Sequence, residues 1–158
     1  MGHITIEYMI MIPLLILQIF LFPLTASWLM NIWVDSRRTL ALQEVASHLG
    51  STIQQIYFLL NHTSIPVGTS LTQKSDLPLY VENYPYIATA TLKDVAGAES
   101  SKVLEITLKL RNIGTSVTTS TVLGKNVQWQ ESTFVSNSTS ACINARKEDG
   151  EIILSFGG

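Results

Sequence analysis

From Tyr8 to Val34 the chain carries no charged side chain, and nothing else in it limits the fold so strongly. Met9 to Leu17 has no polar side chain, and the polar members of the whole run are Gln18, Thr25, Ser27 and Asn31. At a rise of about 1.5 Å per residue, such a run would reach roughly 40 Å as a helix. That length crosses a hydrocarbon core of about 30 Å. The chain of 158 residues is 46% hydrophobic and 14% charged, against about 25% charged in an ordinary soluble domain. Most of the excess lies before residue 35, and the remainder is an ordinary Ser/Thr-rich chain. The two parts are built for different solvents.

A secretory signal peptide would begin with a basic stretch and have a shorter apolar core. Here no Lys or Arg precedes the run, and the run is too long. A plain membrane anchor fits the length but leaves Glu7 unexplained. An acid at the edge of a bilayer is costly unless it is neutral, reaches the headgroups or is paired. On the simplest reading, Glu7 and Tyr8 form an interfacial pair at headgroup level.

A sharper reading comes from Gly2-His3-Ile4-Thr5-Ile6-Glu7 set directly before an apolar helix. This arrangement resembles the class III signal of type IV pilins, archaeal pilins included. The stretch Ile6-Glu7-Tyr8-Met9-Ile10-Met11-Ile12-Pro13-Leu14-Leu15 is also similar to the TadE-like branch, with an acid ahead of a proline and leucines after it. The resemblance is close over residues 1–35, loose to about 60, and does not extend beyond. It implies a leader of residues 1–2 and a prepilin peptidase that cuts between Gly2 and His3. Glu7 then becomes the fifth residue counted from His3, and its partner would be the new α-amino group of a neighbouring subunit. The family also implies a homopolymer, an assembly ATPase and a membrane platform. Its subunits lie in the cell membrane before assembly and in a cell-surface filament afterwards. Removing one partner of a buried ion pair costs about 3–5 kcal/mol, so Glu7 would set axial register as well as bind.

Pro13 and Pro23 lie inside the apolar run, where each removes a backbone donor and tends to kink a helix. Trp28 and Trp33 stand near its outer end, where indoles favour the membrane interface. Beyond Ser36 the pattern changes to a stripe at three- and four-residue steps: Leu42, Val45, Ala46, Leu49, Ile53, Ile56, Tyr57 and Leu60. One long, bent helix from about Ile4 to Leu60 is expected, with residues 3–34 in lipid or a helix bundle and 35–60 amphipathic. Two helices broken near Asp35-Ser36 are the alternative. Asn61 to Gly68, with Pro66, ends the helix.

Residues 61–158 read as a β-rich head. The segment up to Pro85 looks irregular. Strands are expected at Ile87–Lys93, Val103–Arg111, Ser116–Leu123, Val127–Val135, Ala141–Arg146 and Glu151–Phe156. The clearest alternation sets Leu104, Ile106, Leu108 and Leu110 against Glu105, Thr107, Lys109 and Arg111. Asp149-Gly150 signals a hairpin. The predicted class is α+β: a long hydrophobic N-terminal helix followed by a small antiparallel sheet of five or six strands, covered by the second half of the helix.

Asn61-His62-Thr63 and Asn137-Ser138-Thr139 are N-glycosylation sequons, so Asn61 and Asn137 are candidate glycan acceptors and mildly favour an external head. Arg37 and Arg38 pull the other way, since basic residues after a span count towards a cytoplasmic end. The net charge of -2 argues against nucleic acid as a direct partner. His3, His48 and His62 are scattered, Cys142 is the single cysteine and reads as a buried thiol in a strand, and neither metal nor other cofactor is expected. No phosphate loop, nucleophile elbow or carboxylate pair can be assembled, so an enzyme is not expected. The leading expectation is a filament subunit. The alternative is a single-span membrane-anchored β domain that does not polymerise, whether a minor pilin or a binding module.

Overall fold

The computed structural model describes residues 2–74, 76–94 and 100–157, with side chains from Tyr8 onward. A single helix, α1 (Gly2–Asn61), runs through the N-terminal part with Pro13 and Pro23 inside it. The alternative break near Asp35-Ser36 does not occur. By its contacts the chain falls into two compact units, one ending at Arg37 and one beginning at Arg38.

Among the described residues, the second unit contains the last turns of α1 and eight strands: β1 (Ser70–Lys74), β2 (Tyr86–Asp94), β3 (Ser101–Leu110), β4 (Ser116–Gly124), β5 (Val127–Trp129), β6 (Thr133–Val135), β7 (Cys142–Glu148) and β8 (Glu151–Gly157). They form two four-stranded sheets, ordered β1-β7-β8-β5 and β4-β3-β2-β6. The class is α+β, with two sheets where one was expected. Every pairing is antiparallel except β5 with β8, which runs parallel with Val127 opposite Ile152.

The strands correct two expectations. Ser70–Lys74, read as irregular, is a strand held against β7. The single strand expected over Val127–Val135 is divided into β5 and β6, which belong to different sheets. The backbone N–H of Gln130 still bonds the carbonyl of Leu154 at 2.9 Å, and Ser132 Oγ then accepts the N–H of Phe156 at 2.8 Å. Both contacts are to β8, and directly after Ser132 the chain passes to the other sheet, where Thr133 opposes Thr89 of β2, as strands do at the corners of packed sheets.

The core follows from the alternation. Leu104, Ile106, Leu108 and Leu110 of β3 are all fully buried, as are Leu42, Ala46, Leu49 and Ile53 of α1. Val45, Ile56, Tyr57 and Leu60 complete the helical stripe and are buried too. Burying a large aliphatic side chain contributes about 1.5–3 kcal/mol, so this stripe is what holds the end of α1 to the sheets. Gly50 lies buried on the same face: a Cβ there would lie 3.7 Å from Ile106 Cδ1 and 3.8 Å from Thr119 Cγ2. Phe134 adds an aromatic cluster, stacked on Tyr86 with centroids 6.3 Å apart and edge-on to Phe156 at 5.7 Å.

The turns use the expected chemistry. Asp149 (φ 45°) and Gly150 (φ 87°) take the left-handed conformation between β7 and β8, with Glu148 opposite Glu151. Two such residues in succession are what a two-residue hairpin matched to strand twist requires.

Candidate functional site

The first unit is defined by exposure. Between Tyr8 and Trp33, the large apolar side chains range from 44% exposed at Ile32 to 79% at Met9. They cover every face of the helix. A helix apolar all round belongs inside a membrane or a bundle of other helices, and an exposed patch of this extent marks an interaction surface. α1 is long and apolar enough to cross a membrane.

Its backbone and polar groups suit such surroundings. Thr25 donates from Oγ1 to the carbonyls of Leu21 (3.0 Å) and Phe22 (2.9 Å), so its hydroxyl is satisfied within the helix. Pro13 and Pro23 leave the carbonyls of Met9 and Ile19 without their usual helical donors. Such gaps are tolerated in membrane helices where neighbouring groups cover them.

The apolar run closes with an aromatic–cation contact. The Arg37 guanidinium carbon sits 5.0 Å from the centroid of the Trp33 ring, one helical turn back. Attraction of this kind is worth about 0.5–1 kcal/mol at an exposed site. Both residue types are natural markers of a membrane boundary. The four-residue spacing was open to view in the sequence, but the pairing depends on rotamers that spacing does not determine. In the second unit, Arg38 lies over Tyr84 at 5.5 Å.

Gly2, His3 and Glu7 lie on α1 by their backbone, and their side chains are outside the described residues. Asn61 is the last residue of α1 and is exposed, yet its Oδ1 accepts from Asn126 Nδ2 at 2.8 Å. Asn126 also accepts from the Tyr57 hydroxyl at 2.7 Å and donates to the Gly150 carbonyl at 3.3 Å. The sequon at Asn61 is thus tied into a junction between helix end and two strand turns. Asn137 is exposed in the turn after β6, and among the described residues no side chain ties it down in this way. Next to it is Ser136, a buried residue that sequence reading passed over. Its Oγ accepts the Tyr86 N–H at 2.9 Å and donates to the Leu79 carbonyl at 2.8 Å. A serine in a loop gives no pattern that would announce this.

Cys142 opens β7 and is half-buried, less enclosed than the buried thiol expected, with Sγ 3.7 Å from Asn144 Oδ1. His62 Nδ1 is 2.7 Å from Ser64 Oγ, a local contact just past the helix end. Among the described residues no three of His, Cys, Asp and Glu come together as metal ligands.

Comparison with protein-family models, with curated proteins and with solved structures finds no match to this chain.

Proposed function

We propose that this chain is a structural subunit of a type IV pilus-like, archaeal-type filament. The observation that carries the reading is that one helix has two opposite solvation requirements. From Tyr8 to Trp33 it is apolar and exposed on all sides, whereas from Leu42 to Leu60 its apolar stripe is buried in a β head. Such a helix needs a second environment for its first half. Lipid serves before assembly, and identical helices serve in the filament, where apolar burial at about 25 cal/mol per Å² drives packing. Repeated head-to-tail contacts that do not close generate an open polymer. Gly2, His3 and Glu7 fit the processing and register roles of the family that the N-terminus resembles. That family supplies the remaining partners: prepilin peptidase, assembly ATPase and membrane platform. The role is structural, without catalysis or cofactor.

The test is intact mass and N-terminal sequencing of protein sheared from cell surfaces. A chain beginning at His3 in the sheared fraction supports processing and export. Added glycan mass at Asn137 would put the head outside. A chain that keeps Met1-Gly2 and stays in membranes would overturn the filament reading.

A second reading is favoured by the Trp33–Arg37 contact, which is the kind of boundary a permanent anchor uses. On that reading the chain is a membrane-anchored β domain that never polymerises, and its signature is a chain that keeps Met1-Gly2 and stays in membranes.

A further inference from the structure

The edges of the two sheets are unequal. β5 and β6 have three residues each, and β1 has five and ends on Lys74. Short strands and lysines blunt an edge against pairing with other chains. β4 is the exception: it spans nine residues, Ser116–Gly124, and lies at the end of its sheet. It has neither a charged residue nor a proline.

The register shows which of its backbone groups are open. Leu110 donates its N–H to the carbonyl of Thr115 at 3.0 Å, which makes that a hydrogen-bonded pair. Bonded and non-bonded pairs alternate along an antiparallel ladder. Val117, Thr119, Thr121 and Leu123 therefore bond to β3, and Ser116, Thr118, Ser120 and Val122 turn their N–H and C=O groups outward. The Val122 carbonyl is already occupied by Gln54 Nε2 at 3.2 Å. Among the described residues, no strand or side chain bonds the outward backbone groups of Ser116, Thr118 and Ser120. The side chains of these three residues are exposed.

We infer that the outer edge of β4 from Ser116 to Ser120 is a strand-pairing site for β4 of a second copy of this chain. Length and charge both select that occupant. The open span is symmetric about Thr118, so a two-fold axis there sets Thr118 against Thr118 and Ser116 against Ser120. Each facing pair would exchange two backbone bonds, about six in all. A two-fold contact also brings a strand against itself, so any charge on it would meet its like. β4 has none. The two β4-β3-β2-β6 sheets would become one continuous sheet. This contact goes beyond the filament reading and does not rest on it, because it uses the head alone and would join two copies whether they are anchored singly or sit in adjacent filaments.

The test uses the full chain in detergent micelles, in a Cys142→Ser background. Thr118→Cys is compared with Thr89→Cys, which is also exposed and lies on β2 of the same sheet, between β3 and β6 and away from the edge. A short bis-maleimide should trap the Thr118→Cys dimer about tenfold more than the Thr89→Cys dimer. Equal trapping would overturn the proposal, and would show that any dimer forms through the apolar helices instead. Thr118→Pro removes an outward N–H that β3 does not use, and Thr118→Lys places like charges across the axis. Each should weaken head dimerisation about tenfold or more with the circular-dichroism spectrum unchanged. If both fold and dimerise as the parent does, the β4 edge is not the contact.

Discussion

Asn126 donates from Nδ2 to the Oδ1 of Asn61 at 2.8 Å and so fastens the turn between β4 and β5 to the last residue of α1. The other end of the same amide accepts from Tyr57 at 2.7 Å. One side chain thereby satisfies two side-chain groups in the last turn of α1, next to the bond that the His62 N–H donates to the Leu59 carbonyl at 3.3 Å. Asn126→Ala leaves the Tyr57 hydroxyl without its acceptor and removes the tie to Asn61. An unsatisfied buried polar group costs about 1–3 kcal/mol, so the head should lose about that much in denaturant unfolding. Tyr57→Phe should cost less, because Asn126 keeps its bonds to Asn61 and Gly150 and the acceptor it leaves open belongs to a half-buried residue within reach of water, not to a buried one. Equal losses for the two variants would show that the amide is not the organising element.

Two glycines in contact with the core should respond to alanine with opposite signs. At Gly50 an added Cβ meets Ile106, Thr119 and Thr121 at 3.7–3.9 Å, which is ordinary contact. Gly50 sits inside a helix, where alanine is favoured by about 1 kcal/mol. Gly50→Ala should therefore raise the unfolding midpoint. At Gly124 the new Cβ would overlap the hydroxyl of Tyr57, which is buried and bonded to Asn126. Overpacking of this kind costs about 1–3 kcal/mol. Gly124→Ala should lower the midpoint, and a double variant with Tyr57→Phe should recover part of the loss.

Much of this architecture was legible because burial follows period. The helical stripe from Leu42 to Leu60 and the alternation from Leu104 to Leu110 each fill one face completely, so three-to-four spacing and period two translate directly into helix and strand. β1 was missed for the converse reason. Ser70–Lys74 is an edge strand with only Leu71 half-buried, so it presents no apolar alternation, and its partner in β7 is far along the chain. The division of Val127–Val135 and the parallel β5–β8 pair are likewise set by contacts with Leu154 and Phe156, which no local pattern encodes. The site was legible in part. The apolar run shows its own solvent demand, but the Asn61 sequon gives no sign of Asn126, because a sequon records local residue types and not what their amides bond.

On the filament reading, Glu7→Gln should reduce the yield of sheared filaments about tenfold or more while membrane levels of the protein stay constant. The reasoning is charge. Glutamine has the same shape but cannot pair with an α-amino cation, and losing one partner of a buried pair costs about 3–5 kcal/mol. Filament yield that is unaltered in Glu7→Gln cells would reduce Glu7 to an interfacial acid.

The head should also lose stability in strong base through Tyr86. This ring is fully buried, donates to the Pro78 carbonyl at 2.9 Å and stacks on Phe134. Burial disfavours the phenolate and pushes the Tyr86 pKa up to about 12, against about 10 in an unfolded chain. Between those values the native state keeps a proton that the unfolded state has released. Stability is therefore whole below about pH 10 and falls as pH climbs towards about 12, by about 2–3 kcal/mol across the window. Tyr86→Phe should remove that contribution to the alkaline slope, at the expense of about 1 kcal/mol at neutral pH for the lost bond to Pro78. Denaturant midpoints for both proteins at about pH 9 and about pH 11 decide it. If parent and variant fall by the same amount between these two conditions, other groups carry the alkaline loss and the buried Tyr86 hydroxyl does not.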